Sequence, residues 1–359
     1  MQKYSNRVSA RRNTKKKNNL WENNKGGRKK ERDIKIAIDT GQFVENDKMT
    51  VGEWADEWLK IYKQNVGYNT LQRYKAIINN QIKPLIGFYN LTDLKINIVQ
   101  ITLNRLSEIY STSTLKKFKI TLNQIYESAI KMQLVYKNPC NGVIIPQKEQ
   151  PKRTSIPDET IKYIEEFCRG YKNGSFILTL LYTGLRRGEA IALTWNDIDL
   201  KNSCIHVNKA IEFINNRPKI KSPKTANGIR EVPLLDMLKP YLTKPKDAEP
   251  NDYVFKNNHG ALHTLVSIRR LYESFIKNFK LYMKEKYKNI NIDYNFTMHQ
   301  FRHTYATILY KAGVDVKTAQ SYLGHGSISV TMDIYTHLDK QHKKLNAERL
   351  NEFISNAAV

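Results

Sequence analysis

The chain has 359 residues, enough for two or three domains with separate cores, and carries 59 Lys+Arg against 34 Asp+Glu, a formal charge of +25. A surplus of that size opposes compaction unless a polyanion is the partner, which points to nucleic acid ahead of an anionic membrane surface. No apolar run reaches the roughly 18 residues of a membrane span, no apolar segment follows the basic N-terminus, and Cys140, Cys168 and Cys204 match neither a disulfide framework nor a zinc ribbon.

Residues 1–33 hold 12 Lys/Arg against 3 Asp/Glu. The stretch is polar, rich in Asn and Gly, and has no period. It reads as a basic arm able to lie along phosphates through Arg11, Arg12, Lys15, Lys16, Lys17, Arg28, Lys29 and Lys30, with a solubilising tail as the competing reading. Order is expected from "TVGEWADEWLKIY", where Thr50 and Glu53 have capping-box spacing and Val51, Trp54, Ala55, Trp58, Leu59 and Tyr62 form one apolar face. A second helix follows Asn69-Thr70 and stops before Pro84, and a third lies near 92–110. A fourth runs through Leu115, Phe118, Leu122, Ile125, Tyr126, Ala129 and Ile130, completing a small all-α bundle. "IIPQKEQPKRTS" reads as a linker. Beyond it the spacing predicts helices at about 157–169 and 174–185, short strands at "CIHV", "AIEFI" and "REVPL", and helices to the end. Asn227-Gly228 is a two-residue hairpin signal.

Four stretches carry groups capable of chemistry. In "YTGLRRGEAIALTWNDI", Gly184 closes one helix and another opens, placing Arg186 and Arg187 where amides and dipole favour an anion. Glu189, three residues on, can hold the Arg186 guanidinium; two solvated arginines at a turn is the alternative. In "IKSPKTANGIREVPL", Lys224 precedes the turn signal, although a lone lysine in so basic a chain says little. "TMHQFRHTYATILYKAG" predicts a helix ending at Gly313, with Phe301, Tyr305, Ile308, Leu309 and Ala312 buried and with His299 and Arg302 on a flank away from that stripe. His299 and His303 are spaced for a metal, but Gln300 stands where a zinc-protease helix needs Glu and no third ligand follows, so no metal is expected. "LGHGSISVTMDIYTH" sets Tyr335 on a short helix after His325, and core packing is the plain alternative for that tyrosine.

As an ordered set, TGLRRGE, PKTANGIREVPL, HQFRH and LGHGSISVTMDIY resemble the tyrosine recombinases, the integrases of phages and integrative elements. The resemblance covers about residues 50–345. Phe301 departs from the usual Leu and Gly228 from a common Ser, and neither removes a reacting group. It implies a mixed, mainly α fold: an all-α helical-bundle core-binding domain (SAM-like, 49–146), a linker (147–156), and an α+β catalytic domain with a small antiparallel sheet (157–345). It also implies a C-terminal tail (346–359) docking on a neighbouring protomer, with an intramolecular lid helix as the competing reading. Residues 1–48 are then a basic arm or the remnant of an arm-binding region.

By the same resemblance Tyr335 is the nucleophile, Arg186 and Arg302 clamp the phosphate, and Lys224 is the general acid. His299 and His325 contact phosphate and handle protons, with Glu189 in support. The implied partners are double-stranded DNA and other copies of the chain, as a tetramer on two synapsed sites, with a host DNA-bending protein and an excisionase as accessories. No membrane partner, no metal, no ATP and no other cofactor is implied, and the setting is the bacterial cytoplasm, at the nucleoid. The alternatives are a chromosome-dimer resolvase, a type IB topoisomerase-like enzyme and a non-catalytic DNA-binding regulator.

The chemistry suits those residue types. A phosphodiester under attack gains charge on its non-bridging oxygens, and arginines answer with planar, permanently charged donors. A free phenol, with a pKa near ~10, is a poor nucleophile until a neighbour takes its proton. The leaving 5′-oxygen needs a proton, and the phosphotyrosyl link conserves bond energy, so rejoining needs no ATP. Deleting residues 1–33 should flatten the slope of log affinity against log salt by roughly 0.9 for each phosphate that the arm neutralises. A filter-binding salt series reads this directly, and an unchanged slope would mean the arm does not touch DNA.

Overall fold

The computed structural model describes residues 49–148, 155–222 and 228–336, with residues 351, 354 and 355 beyond them. The chain forms two compact units that divide between Gln150 and Pro151. The basic arm, Lys224 and most of the C-terminal tail lie outside the described residues.

The N-terminal unit is all helical. The capping box is present: the Glu53 amide donates to Thr50 Oγ1 at 3.2 Å, and Glu53 Oε2 accepts from the Thr50 amide at 2.8 Å. It starts α1 (Val51–Tyr62), which buries Val51, Trp54, Ala55 and Trp58. The second helix, α2 (Tyr68–Ile77), does not stop before Pro84. It widens into a π-helical turn, Ile78–Ile82, and continues as a short helical piece, Lys83–Ile86, with the proline in its first turn. The proline is accommodated directly after the widened turn, where the Lys83 N–H reaches back to the Ile78 carbonyl, so the break expected from the sequence becomes a change of helical register. Helices α3 (Ile96–Ile109) and α4 (Thr112–Lys131) complete the unit. Its core is made of Ile78, Ile82, Leu103, Phe118, Leu122 and Tyr126, with Trp54 Nε1 donating to the Ile125 carbonyl at 3.0 Å.

The C-terminal unit mixes helices with two small antiparallel sheets. Helices α5 (Asp158–Gly170), α6 (Gly174–Thr183) and α7 (Arg187–Ala192) precede the strands β1 (Ile198–Asp199), β2 (Cys204–Val207), β3 (Ala210–Ile214), β4 (Arg217–Lys221) and β5 (Arg230–Pro233). After these come α8 (Leu265–Lys286), α9 (Met298–Lys311), α10 (Val316–Leu323) and a helical segment over residues 328–336. Helix α6 is buried on every side from Phe176 to Thr183, as its unbroken apolar run requires, and α5 and α9 pack against it. Among the described residues no helix is long and apolar enough to cross a membrane.

The sheets depart from the expected pairing. Strands β1, β2 and β5 form one sheet in the order β1-β2-β5, while β3 and β4 pair with each other. The tight hairpin turns at Asn215-Asn216, with φ of 47° and 66°, the left-handed values that a two-residue connection needs. The Asn227-Gly228 signal falls partly outside the described residues, and the strand after it pairs with β2, not with the strand before it.

Aromatic packing joins α5, α8 and α9. Phe275 is fully buried and its ring meets those of Phe167, Tyr171, Tyr272, Phe279, Phe296 and Phe301. Phe275→Ala should cost about 3–5 kcal/mol, since rigid neighbouring rings cannot collapse into the void. Chemical denaturation of the full chain should show the C-terminal unit unfolding at lower urea, with the N-terminal unit unmoved.

Candidate active site

The site begins where α6 ends. Gly184 takes a left-handed conformation (φ +61°), and a Cβ built there would lie 2.4 Å from Tyr305 Cδ1. Only glycine combines that φ with that proximity. The turn leaves Arg186 as the residue that opens α7. Glu189 binds it twice: Oε2 accepts the Arg186 backbone N–H at 2.8 Å, and Oε1 accepts Nη1 at 2.7 Å. The expected Arg186–Glu189 pairing is therefore made. Arg187 takes no part, its guanidinium lying over the Phe213 ring at 5.6 Å.

Arg302 comes from α9 and corrects an expectation. It does not lie on a flank away from the apolar stripe but is itself buried, only 4% exposed, while Ala312 is exposed. Its Nη1 donates to the Gly184 carbonyl at 2.9 Å and its Nη2 to the Leu323 carbonyl. Arg186 Nη2 donates to the Gly324 carbonyl at 2.9 Å. The two guanidinium groups thus meet at adjacent peptide units at the end of α10.

A third arginine, Arg230, joins them, and the motifs do not announce it. From β5 its Nη2 donates to Glu189 Oε2 at 2.8 Å, its Nη1 to Oε1 at 3.2 Å, and its Nε to the Tyr322 carbonyl at 2.7 Å. A Cβ on Gly324, itself at φ +62°, would lie 2.9 Å from Arg230 Nη1. The signal is in the strand: Arg230 is in phase with buried Val232, so it points inward and needs a buried partner.

Burial raises the cost of ionising Glu189, but the hydrogen bonds and charge of Arg230, with Arg186 behind them, outweigh it and hold the carboxyl below its ordinary value. Burial, then the charge of Arg186, lowers Arg302 to about 9, which leaves it charged at neutral pH. His325 is pushed down to about 4 by burial and by Arg302 and Arg186, so its ring is neutral. Its Nδ1 lies 2.9 Å from Thr331 Oγ1. Three guanidinium groups against one carboxylate make a site of net positive charge, suited to an anion.

The other expected residues are less gathered. His299 is exposed at the start of α9, edge-on to the His303 ring at 4.9 Å between centroids. His303 is among the groups whose charge acts on His325, which ties it to the arginine cluster. Lys224 lies outside the described residues. Tyr335 is packed away: 6% exposed, it lies edge-on to Tyr310 at 5.0 Å, beside Tyr305, Ala319 and Leu323, and donates its hydroxyl to the Val314 carbonyl at 3.1 Å. Burial, then Asp315 and Tyr310, pushes its phenol up to about 12.

Comparison with known proteins gives this geometry a family. The phage integrase family model matches residues 157–342, and the phage integrase N-terminal SAM-like domain matches residues 50–107. The chain is 28% identical over 354 residues to a XerC-like tyrosine recombinase of Caldanaerobacter subterraneus subsp. tengcongensis, covering 88% of this chain and 86% of that one. It is 27% identical over 305 residues to the ICEBs1 integrase of Bacillus subtilis, covering 80% and 78%. The Tn1549 transposon integrase in complex with transposon right end DNA shares the fold, with a TM-score of 0.72 at 24% identity over 84% of this chain and 100% of that one. So does a lambda integrase tetramer bound to a Holliday junction, with a TM-score of 0.61 at 19% identity over 80% and 81%. With both halves of the sequence matched in order, the chain belongs to the phage integrase family and is a tyrosine recombinase.

Proposed function

We propose that the chain is the integrase of a mobile genetic element, which cuts and rejoins double-stranded DNA through a covalent 3′-phosphotyrosyl link at Tyr335. The observation that carries this reading is the meeting of Arg186 and Arg302, remote in sequence, at the adjacent carbonyls of Leu323 and Gly324. Their remaining N–H groups suit the non-bridging oxygens of one phosphodiester.

In this reading the Tyr335 oxygen attacks phosphorus, the bond to the 5′-oxygen breaks, and Lys224 supplies the proton that the leaving oxygen takes up. The phenolic proton passes to the neutral imidazole of His325, whose basicity, lowered by burial and by the guanidinium groups, would rise once the phosphate's negative charge offsets those groups. His299, exposed on the opening turn of α9, contacts the phosphate. The guanidinium groups stabilise the charge that develops on phosphorus oxygens, so neither a metal ion nor ATP is needed. Attack requires the phenol to leave the Val314 carbonyl, because there it is buried and protonated. Glu189 and Arg230 hold Arg186 in register. The active assembly is a tetramer on two synapsed sites, with an excisionase and a DNA-bending host protein as accessories to directionality.

Tyr335→Phe should keep DNA binding and abolish the covalent adduct on a nicked duplex in a denaturing gel. An adduct that survives would overturn the assignment of the nucleophile. A wild type that binds but never forms an adduct would favour a regulator, and one that relaxes supercoils without joining two marked duplexes would favour a topoisomerase. Arg230→Ala should slow adduct formation by about 100-fold, as expected for a phosphate clamp displaced by an ångström, with DNA affinity changed far less. A single-turnover assay beside a binding titration separates the two.

A further inference from the structure

We propose that Asp199, Cys204 and His206 form a binding site for a divalent transition-metal ion, zinc by the character of the ligands, on the outer face of the β1-β2-β5 sheet. Its placement follows from register. Strand β2 turns Ile205 and Val207 into the core, so Cys204 and His206 both project from the other face. The antiparallel neighbours directly opposite them are Asp199 on β1 and Glu231 on β5. The pleat therefore brings a thiol, an imidazole and two carboxylates to one patch of the sheet.

The distances support coordination. His206 Nε2 lies 3.7 Å from Cys204 Sγ and 4.0 Å from Asp199 Oδ2, and one ligand atom from each of the three lies within 4.8 Å of the others. Zinc bond lengths of about 2.0–2.3 Å at tetrahedral angles set ligand atoms roughly 3.3–3.6 Å apart. Small side-chain rotations close the difference without moving the strands. A simple ion pair of His206 with two carboxylates would account for the imidazole but leave Cys204 without a role.

The surroundings orient the ligands. Glu231 Oε1 lies 3.3 Å from His206 Nδ1, so it can accept the Nδ1 proton and leave the Nε2 lone pair facing Cys204 and Asp199. This is the carboxylate–histidine arrangement that fixes metal-bound imidazoles. Asp199 is held in turn by Asn202, whose amide N–H donates to Oδ1 at 2.8 Å and whose Nδ2 donates to Oδ2 at 2.7 Å.

Sulfur, nitrogen and oxygen together select a borderline ion over magnesium or calcium. On loading, the ion displaces the Cys204 thiol proton to solvent. Thiolate and carboxylate then balance its two charges, and water fills the fourth position, with no change of oxidation state. The site is separate from the phosphate chemistry, yet one strand joins the two: Arg230, the neighbour of Glu231, points through the opposite face of β5 to Glu189. Metal loading would therefore stiffen the strand that carries an arginine of the active site.

The test uses the untagged full-length chain, stripped with chelator under reducing conditions and titrated with Co²⁺ as a spectroscopic probe. A single equivalent should bind, with a thiolate-to-cobalt charge-transfer band and the visible bands of a four-coordinate ion, both abolished by competing Zn²⁺. Cys204→Ser should remove the charge-transfer band, and Glu231→Gln should weaken binding about 10- to 100-fold. Cys140→Ser, at a buried cysteine of the other unit, should leave the spectrum unchanged. His206→Gln, with folding checked by circular dichroism, should abolish saturable binding and guards against misfolding of the cysteine variant. Absence of the band in the wild type, or its survival in Cys204→Ser, would overturn the proposal.

Discussion

A buried carboxylate shared by two guanidinium groups is the constraint around which the C-terminal unit is arranged. Withdrawing ions from water costs several kcal/mol each, so Glu189 is stable in place only while its partners stay fixed. Arg230 binds it through both terminal nitrogens and Arg186 through side chain and backbone. Because Arg230 rises from β5 and Arg186 opens α7, one residue fastens a sheet to a helical turn. Arg302 extends the same logic to α9, joining it to the end of α6 and the end of α10. The two left-handed glycines, Gly184 and Gly324, clear the space that lets these chains approach.

Much of this was legible in the sequence, and what was not has physical causes. Apolar spacing gave the bundle helices, and Thr50, Gly184 and Gly313 marked ends that the structure realises, Gly184 and Gly313 at positive φ. The burial of Arg302 was hidden because a charged side chain is ordinarily assigned to the wet flank, and only tertiary contacts show the carbonyls that receive it. Strand β4, "RPKIK", has three basic residues and a proline, so no apolar alternation announces it. Its partner β3 and the Asn215-Asn216 turn define it instead. The berth of Tyr335 at the Val314 carbonyl is a contact between segments that no spacing encodes.

The sequence left two readings of Tyr335 open, core packing and chemistry. The ring is packed like a core residue, against Tyr310 and beside Leu323, yet it sits on the segment that follows the carbonyls bound by the arginines. In this berth burial makes the phenol less acid, the reverse of what a nucleophile needs, while burial and then the cationic groups around the neighbouring His325 make that imidazole less basic. Separate sets of neighbours, Asp315 and Tyr310 at the phenol and the arginines at the imidazole, thus create two electrostatic climates close together in sequence.

The acceptors chosen by those arginines carry a final consequence. Leu323 and Gly324 form the tether from which the helix of Tyr335 is suspended, and their carbonyls occupy N–H groups of Arg302 and Arg186. On the function proposed above, a phosphate would take the remaining N–H groups of the two arginines or, where it presses closer, evict the carbonyls. In the proposed reaction, eviction would slacken the tether at the moment the substrate is seized, so filling of the anion pocket would favour, and not oppose, departure of the phenol from its berth.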